Sequence, residues 1–396
     1  MEDQAVPLIV FGLLFFAGLA ADRVGRRFHL PRVTLLLGFG LVVGQAGFDL
    51  LPRALTSLYP VVAVVALSAV AVLLGSALSV QNLREHGRVV LLVSLSVVVV
   101  TQLVVSTALW VMGLPLILTI LLGAMATATD PAATYDVIEQ SGQDTSFTRT
   151  LKGLVAIDDA WGLLAFTLAL VLIEMVSGFG PGGATLADAA YEVFGSILLG
   201  CVIGVPGALL TGRLSDGEPL RIEALGLVFL TAGLSLMLGL SYLIAGMTVG
   251  AVIVNLARHH TRAFHEIRNF EWPFMIIFFV LAGATLDPAA LSTVGLAGIG
   301  YVVFRVLGRV LGGLLGGWIA GAPKRQGPYF GAAMLPQAGV AIGMALAASE
   351  RFPEYAASLM ALAIGTTTAF ELIGPIVASR TLSAQSRSTE KRQDAL

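Results

Sequence analysis

Long apolar runs, separated by short stretches that carry most of the charged residues, recur from one end of this 396-residue chain to the other. A helix needs about 20 predominantly apolar residues to cross the hydrocarbon core of a bilayer. Inside lipid a helix also satisfies its own backbone hydrogen bonds. The pattern predicts thirteen spans, at roughly 6–21, 33–51, 60–80, 88–112, 115–139, 151–175, 191–212, 222–238, 241–257, 272–287, 293–321, 327–348 and 355–379. Two of them are interrupted. A-T-A-T-D-P places Thr129, Asp130 and Pro131 near the middle of span five, where proline removes a helical hydrogen bond and opens the backbone. M-L-P-Q-A-G puts Pro336, Gln337 and Gly339 at a similar depth in span twelve. Each break follows an intact span and precedes a closing one. That order predicts an all-α polytopic membrane protein of about 13 transmembrane helices, with inverted repeats and two crossing broken helices.

Composition agrees with this class: 57% of residues are hydrophobic, 12% are charged, and mean hydropathy is +0.89. A net charge of −2 leaves no nucleic-acid footprint. The single cysteine, Cys201, excludes an internal disulfide and a cysteine-clustered metal site, and no cofactor is expected. The opening Met-Glu-Asp-Gln lacks the basic region of a cleavable leader, so the first run is read as a retained span. Lys and Arg predict orientation, because cytoplasmic loops hold the excess. With the N-terminus outside, the inside loops hold all of the 23 basic residues but four, among them Arg84, Arg213, Arg258, Lys324 and Arg325. Arg53 and Arg351 fall outside, whereas Arg305 and Arg309 fall within span eleven. A multi-pass protein of the cell (inner) membrane follows, with residues 381–396 as a short cytoplasmic tail.

Charge inside the spans carries the candidate chemistry. Asp158 and Asp159 lie together in A-I-D-D-A-W-G-L-L, within an apolar run. A mid-membrane carboxylate costs roughly 2.5–3.5 kcal/mol on insertion scales, so such residues face a bundle interior or an ion pathway. Adjacent helical positions diverge by about 100°. One carboxylate can therefore face a cation cavity while the other faces an arginine, and Asp159 is taken as the primary ion carboxylate with Asp158 second. Broken helices leave half-charges of about +0.5 and −0.5 at their ends. Asp130 is the candidate partner of the positive ends, Arg309 or Arg305 of the negative ends. Thr129 is either a ligand or a local cap. Carboxylates and freed carbonyls suit a hard cation such as Na+, and a carboxylate out of water is neutralised by either a proton or a cation. Glu371 and Gln337 are candidates for lining an access path. A rival of another class is an intramembrane aspartyl protease using Asp136, but the pair is flanked by Ile157 and Ala160 rather than by glycine.

These residues resemble the monovalent cation/proton antiporter superfamily, in particular bacterial Na+/H+ antiporters of its second branch. Gly18 to Gln45 is similar to that family's first helix, basic turn and proline-led second helix. A-T-D-P-A-A-T resembles its unwound helix, A-I-D-D-A-W-G-L-L-A-F its ion-site helix, and Phe278 to Asp287 its tenth helix. G-R-V-L-G looks like the charged eleventh helix and selects Arg309 over Arg305. The resemblance implies a secondary antiporter of Na+ or Li+ against H+, working by alternating access as a homodimer. It implies an ion-transport bundle of about 60–176 and 272–379 and a dimerisation bundle of about 6–51 and 191–257. Asp159 would bind the ion with Asp158 beside it, and Thr129 and Asp130 would sit at the crossing. Two positions depart from relatives: Arg309 stands where some antiporters have lysine, and Gln337 where some electroneutral ones have arginine. A K+/H+ antiporter or a K+ efflux transporter of the same fold is the alternative.

Overall fold

The computed structural model describes residues 2–28, 32–81, 87–177, 186–211, 219–257, 260–285, 295–323, 326–337 and 339–393. Arg84, Arg213, Arg258, Lys324, Arg325 and Asp287 lie outside the described residues. In chain order the helices are α1 (Glu2–Phe28), α2 (Arg32–Val43), α3 (Arg53–Thr56), α4 (Tyr59–Gly75), α5 (Gly87–Val111), α6 (Leu116–Met125), α7 (Pro131–Ser141) and α8 (Ser146–Ser177). They continue as α9 (Leu186–Thr211), α10 (Pro219–Met237), α11 (Tyr242–Leu256), α12 (His260–Ala284), α13 (Gly295–Ala320), α14 (Gly327–Ala333), α15 (Gly339–Arg351) and α16 (Ala356–Gln393). Among the described residues, eight helices are long and apolar enough to cross a membrane. The other five expected spans correspond to the shorter α2, α10 and α11 and to the pairs α6/α7 and α14/α15.

The chain forms two compact units, Met1–Ser79 with Glu174–Ala289 and Val80–Ile173 with Ala290–Leu396. In the first, Val65, Ala69 and Val72 of α4 share a buried cluster with Ile203 of α9, Val228 of α10, Val249 and Ile253 of α11 and Ile267 of α12. This division differs from the expected bundles at α4 and α12, which group with the first unit. Small residues explain why. A Cβ added to Gly250 of α11 would come within 3.1 Å of Gly75 Cα on α4, and one on Gly283 of α12 within 2.9 Å of Leu37 Cα on α2. Only glycine lets these backbones approach so closely in an apolar solvent that gives no hydrophobic drive to associate.

The second unit is organised around α13. Gly308, Gly312 and Gly316, four residues apart, line one face against α5; added Cβ atoms would lie 2.8, 2.6 and 2.7 Å from the Cα atoms of Thr101, Val97 and Val93. Ser96 adds a hydrogen bond from Oγ to the Gly312 carbonyl at 2.9 Å. Gly313 and Gly317 open a second face to α14, while Leu311, Leu314 and Trp318 point outward.

Both expected interruptions are present. Asp130 is extended, with φ −114° and ψ 98°, and α7 begins at Pro131; the residue before a proline is driven out of the helical region. α14 ends at Ala333, three residues before Pro336. The two breaks meet backbone to backbone, the Asp130 N–H donating to the Pro336 carbonyl at 2.9 Å. Around them the order intact, broken, intact occurs twice, as α5, α6/α7, α8 and as α13, α14/α15, α16.

Candidate ion-binding site

At the crossing, the carbonyls of Ala126, Thr127 and Ala128, which directly follow α6, lie beyond its helical hydrogen bonds at the negative end of its dipole. Two guanidiniums from α13 answer them. Arg305 donates from Nε to the Ala126 carbonyl at 3.0 Å, from Nη2 to Ala128 at 2.7 Å and from Nη1 to Leu335, on the second break, at 2.7 Å. Its Cζ also stands 4.1 Å from the centroid of the Phe370 ring on α16, a cation–π contact. Arg309 donates from Nη2 to the Thr127 carbonyl and, at 3.0 Å, to Ala128. Both arginines are completely buried, so neither reaches an interface. Arg305 fastens both breaks; Arg309 fastens the first.

The positive end is met by Asp130. Its carboxylate caps α7 by accepting from the Ala133 N–H at 3.1 Å. The D-P-A-A sequence is built for this, with a capping acid followed by a proline whose missing N–H costs nothing in the first turn.

The paired aspartates have unequal surroundings. Asp158 Oδ2 accepts from Arg309 Nη1 at 2.8 Å and from the Thr129 hydroxyl. Asp159 accepts only from the Thr129 backbone N–H, on Oδ1 at 3.0 Å, and has no ion-pair partner among the described residues. Both carboxylates are buried. Glycine makes the approach possible, since a Cβ on Gly162, one turn after Asp158, would lie 3.0 Å from Thr127 Oγ1. Thr129 therefore touches both acids, one through its side chain and one through its main chain. Asp158 is thus paired with a permanent cation through Oδ2, its Oδ1 buried with no hydrogen-bond partner among the described residues, whereas Asp159 has no such cation. Such an arrangement can take up a single positive charge, proton or metal, beside Asp159. Among the described residues no trio of His, Cys, Asp and Glu offers a multidentate metal site.

Of the residues singled out from sequence, Thr129, Asp130, Asp158, Asp159, Arg305, Arg309 and Gln337 converge here. Gln337 is fully buried instead of lining an open route: Nε2 donates to the Met125 carbonyl at 3.4 Å and to the Tyr301 hydroxyl at 3.3 Å. Glu371 lies half-buried on α16, directly after Phe370. Asp136 is exposed on α7, which removes the second acid that a protease would need. Sequence reasoning missed Tyr301 and Phe370. Tyr301 was findable, because it precedes Arg305 and Arg309 by four and eight residues and so shares their face. Phe370 gave no such signal.

Comparison with known proteins accords with this geometry. The family described as sodium/hydrogen exchanger, transmembrane, matches residues 11–384. An ammonium/H+ antiporter subunit, AmhT, of Alkalihalophilus pseudofirmus is 23% identical over 286 residues, covering 70% of this chain and 69% of that protein. The K+/H+ antiporter NhaP of Alkalimonas amylolytica is 26% identical over 209 residues, covering 46% and 36%; the match thus spans little more than a third of that relative. Among solved structures, the sodium proton antiporter MjNhaP1 of Methanocaldococcus jannaschii superposes with a TM-score of 0.73 at 19% identity, covering 96% of this chain and 97% of that one, which establishes a shared fold. The broken-helix crossing, its buried arginines and the match across nearly the whole chain together mean that this protein belongs to the transmembrane sodium/hydrogen exchanger family of monovalent cation/proton antiporters.

Proposed function

We propose that this chain exchanges cytoplasmic Na+, or Li+, for external H+ by alternating access, with proton and cation competing for Asp159. One observation carries the reading: among the described residues Asp159 is a buried carboxylate at the crossing with no ion-pair partner, whereas Asp158 is paired with Arg309. Arginine keeps its proton, so Arg309 does not join the exchange and Asp158 stays paired. Each cycle then moves one proton against one monovalent cation. Asp159 gives up its proton, the carboxylate binds the cation with Thr129 close by, and the site crosses only when neutralised in one of these ways. The proposal extends to a homodimer in the cell membrane, with the N-terminus outside and the C-terminus in the cytoplasm. K+/H+ exchange is the second reading, favoured by similarity to a K+/H+ antiporter.

The test is dissipation of an imposed pH gradient in proteoliposomes on addition of Na+, Li+ or K+, repeated with the membrane voltage clamped at different values. We expect Na+ to collapse the gradient at a rate that voltage leaves unchanged, and Asp159→Asn to abolish it. Full exchange by Asp159→Asn would overturn the assignment. A rate that follows voltage would overturn the one-for-one ratio.

A further inference from the structure

We propose that Gln337 is a positioning residue that sets cation affinity from outside the carboxylate cluster, by holding the C-terminal end of α6 against the second break. This rests on the reading of Asp159 and Thr129 as the exchange site.

Besides Thr127 Oγ1, which donates to the Ala124 carbonyl at 2.6 Å, three side chains from other elements donate to the carbonyls at and just after the end of α6. Arg305 and Arg309 both come from α13 and hold Ala126, Thr127 and Ala128. Gln337 is the third, and it comes from the second break itself, one residue after Pro336. It takes Met125, the last residue of α6, four positions before Thr129. The backbone bond from Asp130 to Pro336 joins the breaks on the far side of Thr129. Thr129 is therefore bracketed by two links to the same short segment, one at Met125 and one at Asp130.

The side chain is also held from below. Its Nε2 donates to the hydroxyl of Tyr301, one turn before Arg305 on α13. Its Oε1 is buried and has no hydrogen-bond partner among the described residues. An unsatisfied buried amide oxygen is costly, and it gives the amide a second setting. Rotation by a half-turn brings the oxygen to the Tyr301 hydroxyl, whose proton it can accept, and takes the donor away from Met125. In one setting the amide adds a donor to the Met125 carbonyl, which also accepts from the Ala128 N–H at 3.2 Å; in the other that donor is withdrawn and the amide oxygen gains the Tyr301 hydroxyl. A neutral residue can do this without altering the charge around the two aspartates. An arginine or a glutamate there could not.

The experiment measures exchange kinetics in proteoliposomes for Gln337→Leu, Gln337→Asn, Tyr301→Phe and the double variant Gln337→Leu/Tyr301→Phe, with thermal melting of each. Gln337→Leu is expected to raise the cation KM about five- to tenfold, the contribution of one hydrogen bond, with kcat within about twofold. The shorter Asn fails to rescue it. Tyr301→Phe removes the hydroxyl that meets the amide in both settings, so it moves KM by less than Gln337→Leu does and loses its effect in the Gln337→Leu background. An unchanged KM in Gln337→Leu overturns the proposal, as does a lowered melting temperature with KM and kcat both at wild-type values. If Gln337→Leu fails to fold, a Gln337→Asn with the wild-type KM overturns it instead. Failure of the underlying reading looks different: exchange that survives Asp159→Asn, whatever Gln337 does.

Discussion

Asp158 and Asp159 are chemically identical and one residue apart, yet the fold gives them different surroundings. A buried ion pair is weak evidence of stabilisation, but breaking it by removing one member leaves an uncompensated charge and costs about 3–5 kcal/mol. Arg309→Ala strips Asp158 of its cation and the Thr127 and Ala128 carbonyls of a donor. We expect its melting temperature in detergent to fall by the equivalent of that loss, with Arg309→Lys recovering part of it, because lysine keeps the charge but not the planar fork. Asp159→Asn should melt at or above the wild-type temperature while losing exchange. Equal melting of Arg309→Ala and the native protein would show that the pair contributes nothing. The double aspartate and the two arginines were visible as charges out of place in apolar runs. Which arginine meets which acid was not, since periodicity puts Arg305 and Arg309 on one face and says nothing of the carbonyls opposite. Most of the acceptors here are backbone oxygens, to which side-chain patterns are blind.

The broken helices were the easiest elements to read, because T-D-P and P-Q-A-G combine proline with residues that cap or turn the backbone. The structure adds what Asp130 does there: it satisfies the first turn of α7. Removing such a cap costs about 1 kcal/mol, and asparagine caps as well as aspartate. Asp130→Ala should therefore slow exchange and lower the melting temperature, and Asp130→Asn should restore both. An Asp130→Asn as defective as the alanine would mean that the negative charge, or direct ligation, is what matters. Harder to read was the grouping of α4 and α12 with the first unit. That grouping depends on glycines at helix contacts such as Gly75, Gly250 and Gly283. Hydropathy scores a glycine the same whether a backbone or a lipid lies against it.

Across the whole molecule, a chain that keeps most of its charges between its apolar runs places Asp130, Asp158, Asp159, Arg305 and Arg309 at one crossing, and the proposed exchange turns on a single carboxylate serving two ligands in turn. Family membership and fold account for the scaffold; the proposed exchange rests on the surroundings of Asp159. Binding linkage makes this quantitative, since one proton displaced per cation bound ties affinity to pH with unit slope. The decisive measurement is the apparent KM for Na+ in proteoliposomes at a series of pH values, with equal pH on both sides. Competition at Asp159 predicts that KM rises about tenfold for each unit of acidification below the carboxylate's titration, while the maximal rate at saturating Na+ holds constant. A KM that stays the same across that range would contradict it.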